Sequence, residues 1–305
     1  MLNRAQRIAL LLVVVAVTPY TTLKVLWLAG STVGLRSASG VAELHSTRVV
    51  LGNVVTIVLE LAAVGLAWAL TRPWGRRVPG GLVVFLGGGA TGLLAPILLG
   101  LTVGSVLQLA VTGSLRTEGM DNLSPWVFAL VYGGFALLGV GLAVLVWQYV
   151  LDRWAGVLSV PPRPPVTWAA VAGALGLLPF GAASIYWGLL GPGASGPQGM
   201  EVISQRTVLV LSGLLALAGW LGPLVWRATV RRSHAAWILT WLGCTTAALQ
   251  SVTQVLLAHQ GAPTPQVLLV SALALPGSCL YGLSVLRGRL AEMAPGSGQL
   301  AEARG

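Results

Sequence analysis

TRVVLGNVVTIVLELAAVGLAWAL, running from Thr47 to Leu70, carries one ionisable side chain, Glu60, beyond the arginine in its second position. At about 1.5 Å per helical residue such a run crosses a hydrocarbon layer about 30 Å thick, and a helix satisfies its own backbone where no water can. The chain repeats the pattern on both sides. Ile8 to Gly30, Gly81 to Leu107, Pro125 to Val150, Thr167 to Leu190, Thr207 to Trp226, Ala235 to Ala258 and Pro265 to Leu286 are further apolar runs bounded by charges or by Gly and Pro clusters. The expected fold is therefore an all-α integral membrane protein of eight transmembrane helices. Bulk composition agrees: of 305 residues 55% are hydrophobic and 9% charged, with a mean hydropathy of +0.83, far from the values of soluble domains. This excludes a soluble enzyme, a secreted disulfide-stapled domain and a disordered scaffold.

The formal charge of +10 arises from 18 basic and 8 acidic residues. No basic patch with interleaved aromatics accompanies it, so it is an orientation signal and not a nucleic-acid footprint. An even number of spans puts both termini on one side. That side holds 13 arginines: Arg4, Arg7, Arg72, Arg76, Arg77, Arg153, Arg163, Arg227, Arg231, Arg232, Arg287, Arg289 and Arg304. The other holds Arg36, Arg48, Arg116 and Arg206, balanced by Glu43, Glu118, Asp121 and Glu201. The positive-inside rule then places both termini in the cytoplasm of a multi-pass protein of the cell membrane. Arg4 and Arg7 imitate the start of a signal peptide, but no small-residue cleavage site follows, and the first run reads as a retained helix.

Pro161-Pro162-Arg163-Pro164-Pro165 is a stiff extended spacer. It divides the chain into a first four-helix half (1–151), a cytoplasmic Pro-rich linker (152–166), a second four-helix half (167–290) and a disordered C-terminal tail (291–305). Pro19-Tyr20 followed by Trp27 returns as Pro179-Phe180 followed by Trp187, and Thr47-Arg48 as Gln205-Arg206, at offsets of 160 and 158 residues. Four helices being an even number, such repeats would be parallel, related by an axis along the membrane normal. Gly88 with Gly92 and Gly100 with Gly104 are GxxxG pairs suited to close helix packing. Cys244 and Cys279 lie inside apolar runs, as reduced packing residues.

An ionised group near the bilayer centre costs about 2.5 to 3.5 kcal/mol on insertion scales, so each one needs a reason. Tyr20, Lys24 and Trp27 share one face of the first helix, and Asn53, Thr56 and Glu60 one face of the second. Glu60 lies roughly 18 Å from the outer boundary, whereas Lys24 is near its helix end, where snorkelling to the headgroups is the plain alternative to a role in a cavity. For Glu60 the plain alternative is a structural hydrogen-bonded carboxyl; the sharper reading makes it a proton donor whose neutral form is favoured by desolvation. Asp121, ahead of Ser124-Pro125-Trp126, is the second candidate acid. Trp27, Trp126, Tyr186 and Trp187 fall toward the outer half, as cavity lining or outer belt. Most other tryptophans, among them Trp68, Trp74 and Trp168, mark the cytoplasmic interface. Thr246, Gln250 and Thr253 share a face of the seventh run, as a pocket lining or as interhelical hydrogen bonds. His45 beside Glu43 is at most half of a metal site, and no metal or other cofactor is expected. The chain has no P-loop, no HExxH, no nucleophile elbow and no paired aspartates of the kind that hold magnesium and a diphosphate.

The segment from Pro19 to Gly30, Pro-Tyr-Thr-Thr-Leu-Lys-Val-Leu-Trp-Leu-Ala-Gly, resembles the PYxxLKxxWxxG signature of polytopic actinobacterial membrane proteins. That group is similar to the membrane-bound terpene cyclases of bacterial indole-sesquiterpenoid pathways, of the drimentine type. The resemblance implies an isomerase or lyase of terpenoid biosynthesis that protonates an olefin of a farnesyl-type prenylated aromatic without metal. The expected site is then Glu60 or Asp121 as acid, with Tyr20, Lys24, Trp27, Asn53, Trp126, Tyr186 and Trp187 around a hydrophobic substrate. Lipid would be the other partner; the oligomeric state is left open. A small-molecule or lipid transporter or export accessory is the alternative, since intramembrane Lys and Glu serve that equally.

Overall fold

A computed structural model describes residues 2–115, 122–225, 230–258 and 262–292. Among these the secondary structure is helical apart from one isolated bridge between Leu35 and Leu123. The helices are α1 (Arg4–Leu28), α2 (Ala38–Leu44), α3 (Thr47–Leu70), α4 (Gly80–Pro96), α5 (Thr102–Thr112), α6 (Pro125–Leu158), α7 (Thr167–Leu190), α8 (Ile203–Val225), α9 (Val230–Leu256) and α10 (Pro265–Glu292). A 3-10 turn, Pro73–Arg77, precedes α4, and a π turn, Ile97–Leu101, joins α4 to α5. The expected tail, 291–305, lies outside the described residues beyond Glu292. Helix α6 continues to Leu158 through a bend at Trp154 (φ −127°, ψ 29°), so the non-helical connector begins at residue 159 and not at 152.

Among the described residues seven helical segments are long and apolar enough to cross a membrane: Arg4–Leu28, Thr47–Leu70, Gly80–Thr112, Pro125–Leu158, Thr167–Leu190, Ile203–Leu224 and Pro265–Glu292. The protein is thus an all-α membrane protein, with one such segment fewer than the eight expected. The difference lies at α9. Its 27 residues are long enough, but Thr240, Thr245, Thr246, Gln250, Ser251, Thr253 and Gln254 dilute its apolarity.

The chain divides into two compact units, Met1–Ala90 with Val111–Val150 and Thr91–Ala110 with Leu151–Gly305. In the first, α1 begins with a reciprocal cap, Asn3 with Gln6, and packs along α3. Helix α6 lies close to α1 at Gly141, where an added Cβ would stand 2.8 Å from the Ala9 carbonyl oxygen. The Tyr149 hydroxyl donates to the Gly75 carbonyl at 3.0 Å and holds the 3-10 turn. An apolar cleft of about 270 Å³ between α3, this turn and α4 is lined by Ala62, Leu66, Leu70, Leu82 and Leu86. Ala62 and Leu66 lie on the side of α3 away from Glu60, by the 100° turn per residue.

In the second unit α7, α8, α9 and α10 form a ring, each packed on the next. Without a hydrophobic effect between them, such helices adhere by close backbone approach. Three interfaces have a glycine facing a glycine. A Cβ on Gly213 of α8 would stand 2.6 Å from the Gly181 carbonyl oxygen of α7; one on Gly219 of α8 would stand 2.7 Å from the Gly243 Cα of α9; one on Gly277 of α10 would stand 2.8 Å from the Gly176 Cα of α7. Three of the GxxxG glycines, Gly92, Gly100 and Gly104, serve the same purpose. Gly92 abuts Thr245 of α9, and a Cβ on Gly100 or Gly104 would stand 2.7 Å from Val208 or 2.6 Å from Ser204 of α8.

Pro96 has no N–H to give the Gly92 carbonyl, one turn back. Gln250 supplies the missing donor from α9, Nε2 to Gly92 O at 3.1 Å, so of the two readings of this face its glutamine is an interhelical tie. Gln250→Leu is expected to destabilise the second unit by about 1 kcal/mol. In a Pro96→Ala background, where the helix can bond that carbonyl itself, the loss should shrink. Melting of the four proteins in nanodiscs checks this; equal losses in both backgrounds would sever the link to Pro96.

Candidate functional site

Three residues of α1 and one of α3 make a charged site inside the first unit. Tyr20, Thr21 and Lys24 follow Pro19 on the α1 face that meets α3. The Lys24 ammonium lies 2.6 Å from Glu60 Oε1, with side-chain exposures of 1% and 6%. The Thr21 hydroxyl donates to Glu60 Oε2. Both carboxylate oxygens therefore accept hydrogen bonds, and the arrangement is that of an anion matched by one cation. Lys24 Nζ also stands 3.9 Å from the centroid of the Tyr20 ring, whose face offers it a second partner.

Lys24 does not snorkel, and backbone geometry supplies the reason. Side chains tilt toward the N-terminus of their own helix. Lys24, close to the C-terminal end of α1, is aimed back into the span, away from the interface it nearly reaches. Glu60 lies about 20 Å along α3, and the antiparallel course of α3 tilts it the opposite way, toward Lys24. The two side chains close the difference in height between their Cα atoms.

Aromatic rings adjoin the pair. Tyr20 meets Phe135 of α6 edge-on, with centroids 6.0 Å apart at 87°. Phe128 and Tyr132 stack at 6.4 Å and 18°. Phe128, Tyr132 and Phe135 thus form a stripe at i, i+4 and i+7, and Tyr132 is 46% exposed at the surface of the chain. Neither this stripe nor Thr21 was among the expected site residues. Their spacing was a readable signal, the first as a helical face and the second as the residue one turn before Lys24.

Trp27 is buried among Leu23, Leu44 and Val127, and its Nε1 donates to the Val33 carbonyl at 2.8 Å. It holds down the loop after α1. That loop is tied to the start of α6, with Ser124 N to Gly34 O at 2.7 Å and Ser37 Oγ to Asn122 Oδ1 at 2.7 Å. Gly34 has φ +85°, and a Cβ there would stand 2.6 Å from Val127. Asn53 is buried, two turns before Glu60 on α3.

The other expected residues are not gathered here. Trp126, at 47% exposure, lies against Gly34, and Tyr186 is 56% exposed. Trp187 belongs to the second unit, packed on Leu209 and Val267, where its Nε1 donates to Ser195 Oγ at 3.2 Å. It pins the loop after its helix as Trp27 does. The second candidate acid, Asp121, lies outside the described residues, as do Glu118, His259 and the Glu43 side chain; His45 Nδ1 is engaged with the Val41 carbonyl at 2.8 Å. Compared with protein-family models, with curated proteins and with solved structures, the chain matches none.

Proposed function

We propose that the chain spans the cell membrane eight times with both termini in the cytoplasm, and that the Lys24–Glu60 couple makes it a proton-initiated terpene cyclase. The arginine distribution supports the orientation. Helix α9 is counted as the eighth span because it is packed between α8 and α10 with Ala236, Ala247 and Ala248 buried, so its polar side chains face protein.

The observation that carries the cyclase reading is an ionisable couple with almost no exposure beside a stripe of aromatic rings, one of them at the surface. A farnesyl-type chain of a prenylated aromatic would enter from lipid past Tyr132. A proton taken up from the aqueous side converts the Glu60 carboxylate to the acid while Lys24 keeps its charge. The acid passes that proton to the terminal olefin, forming a C–H bond and leaving a tertiary carbocation. The neighbouring π bond attacks it, a C–C bond closes, and loss of a proton from the adjacent carbon to Glu60 ends the reaction. The sum is an isomerisation. The faces of Tyr20, Phe128, Tyr132 and Phe135 offer the cation roughly 0.5 to 2 kcal/mol each, and exclusion of water protects it from quenching.

One feature favours the transporter alternative: with both oxygens of Glu60 engaged, the resting state is a latched ion pair and not a standing acid. Lys24→Met/Glu60→Gln tests the acid, since it keeps the site neutral while removing the transferable proton, and the wild type separates the readings. Membranes carrying the wild type are expected to cyclise a farnesylated indole, and those carrying the double variant to form no product while the protein melts cooperatively. Wild-type membranes that cyclise no prenylated aromatic, with proteoliposomes that couple proton flux to solute uptake, would make the protein a transporter.

A further inference from the structure

We infer that the second unit contains a binding site for a small hydroxyl-bearing ligand, water or an alcohol, held by Ser184, Gln254 and Ser271. Two apolar clusters cross the α7–α10 ring, one including Phe180, Ala216, Ala247 and Ala274, the other Trp187, Leu209 and Val267 with Val255 against it. Between them every helix turns polar at the same level. Ser184 stands between Phe180 and Trp187, Ser212 between Leu209 and Ala216, Ser251 and Gln254 between Ala247 and Val255, and Ser271 between Val267 and Ala274. All five are buried. The polar residues thus form a layer across the bundle, closed above and below by hydrocarbon.

Their hydrogen bonds divide them. The hydroxyls of Ser212 and Ser251 donate to carbonyls of their own helices, Val208 at 2.7 Å and Ala248 at 2.8 Å. Ser184 Oγ, Gln254 Oε1 and Ser271 Oγ are buried and have no partner within the protein. A polar atom left so in a membrane interior is strongly disfavoured. The donor and acceptor inventory selects the missing partner. Gln254 Oε1 accepts only, while each serine can donate or accept. A group with one O–H to give and lone pairs to receive completes the set. The layer contains no carboxylate, which makes a neutral ligand the fit and not a cation.

The register of the chain supports the assignment independently. Ser184 stands five residues after Pro179 and three before Trp187, as Lys24 stands after Pro19 and before Trp27. Where the first unit places an ammonium with a carboxylate, the second places a hydroxyl among neutral acceptors. The inference rests on neither the cyclase nor the transporter reading.

The test uses the full chain in lipid nanodiscs. Ser184→Ala, Ser271→Ala and Gln254→Leu are each expected to lower the melting temperature by a few degrees. Ser184→Ala/Ser271→Ala should fall short of the summed losses, because one shared ligand is lost only once. Alanines that leave melting unchanged or raise it, or losses that add, overturn the site. The wild type provides a measurement that no folding failure can obscure. Water-edited solid-state NMR should carry magnetisation from water to Ser184 and Ser271 more strongly than to Ser212 and Ser251. If transfer is absent, mass spectrometry of the purified protein should find a bound alcohol that Ser271→Ala releases. Finding neither overturns the proposal.

Discussion

Lys24→Met should remove most folded protein from the membrane fraction. The substitution keeps the length of the side chain but leaves the Glu60 carboxylate to the Thr21 hydroxyl, in a place almost without solvent. Breaking a buried pair by deleting one partner costs about 3 to 5 kcal/mol, because the remaining charge is uncompensated. Set against a total stability of about 5 to 15 kcal/mol, that is a large fraction. Glu60→Gln is expected to be milder, since its amide oxygen can still accept from Lys24 and the Tyr20 ring face still attends the ammonium. Lys24→Met/Glu60→Gln should recover most of the wild-type melting temperature, for a neutral pair has no charge to strand. The measurements are yield after detergent extraction and melting in nanodiscs. A Lys24→Met protein that melts with the wild type would mean that the pair does not form.

Gly243→Val carries the second large effect. Gly243 meets Gly219 across the α8–α9 interface, and a Cβ on Gly243 would stand 2.6 Å from the Gly219 Cα and closer still to the Leu215 carbonyl oxygen. These are backbone atoms of a packed helix, with no rotamer to turn aside. The helices must separate, and the dispersion contacts along both sides of the crossing go with the separation. Overpacking of about 1 to 3 kcal/mol is the ordinary range, and valine at a backbone crossing belongs at or beyond its upper end. Gly243→Ala should lose less. Gly65→Ala, at a position with nothing within 4 Å of an added Cβ, serves as the control and should leave melting unchanged or slightly higher, alanine being the better helix former. If Gly243→Val and Gly65→Ala behave alike, the α8–α9 interface is not built on glycine.

What was legible in the sequence, and what was not, follows from the range of each signal. Apolar length is local, so seven helical segments emerge close to their expected places. The seventh run is the exception, because its polar side chains are turned to protein, as Gln250 is to Gly92, and a hydropathy average cannot distinguish that from polarity facing solvent. The GxxxG spacing found Gly92, Gly100 and Gly104, which recur along one apolar span. It missed Gly176 with Gly277 and Gly219 with Gly243, where one glycine on each helix suffices and only the partner reveals the pairing. At the site, faces were readable: Tyr20 with Lys24, and Asn53 with Glu60. Whether Lys24 meets Glu60 or snorkels stays open in the sequence, because distance to the helix end is read from spacing and side-chain direction is not. The tryptophans misled in a different manner. Their positions suggested a common lining, yet Trp27 and Trp187 each spend the indole N–H on a loop carbonyl or hydroxyl nearby, a use that no spacing announces.

The third apolar run has a consequence for how such a chain can be inherited. Its residues up to Ala90 count with the first unit and Thr91–Ala110 with the second, although the Pro-rich connector, the natural place to cut, comes about fifty residues later. A gene split at that connector would deliver α7 to α10 without the segment that seats Gly100 and Gly104 on α8 and offers Gly92 to Gln250. The first fragment would keep all of its own unit, while the second would lack a part of its bundle. Recombination within its lineage is therefore confined to exchanges that carry the third run along with the last four helices.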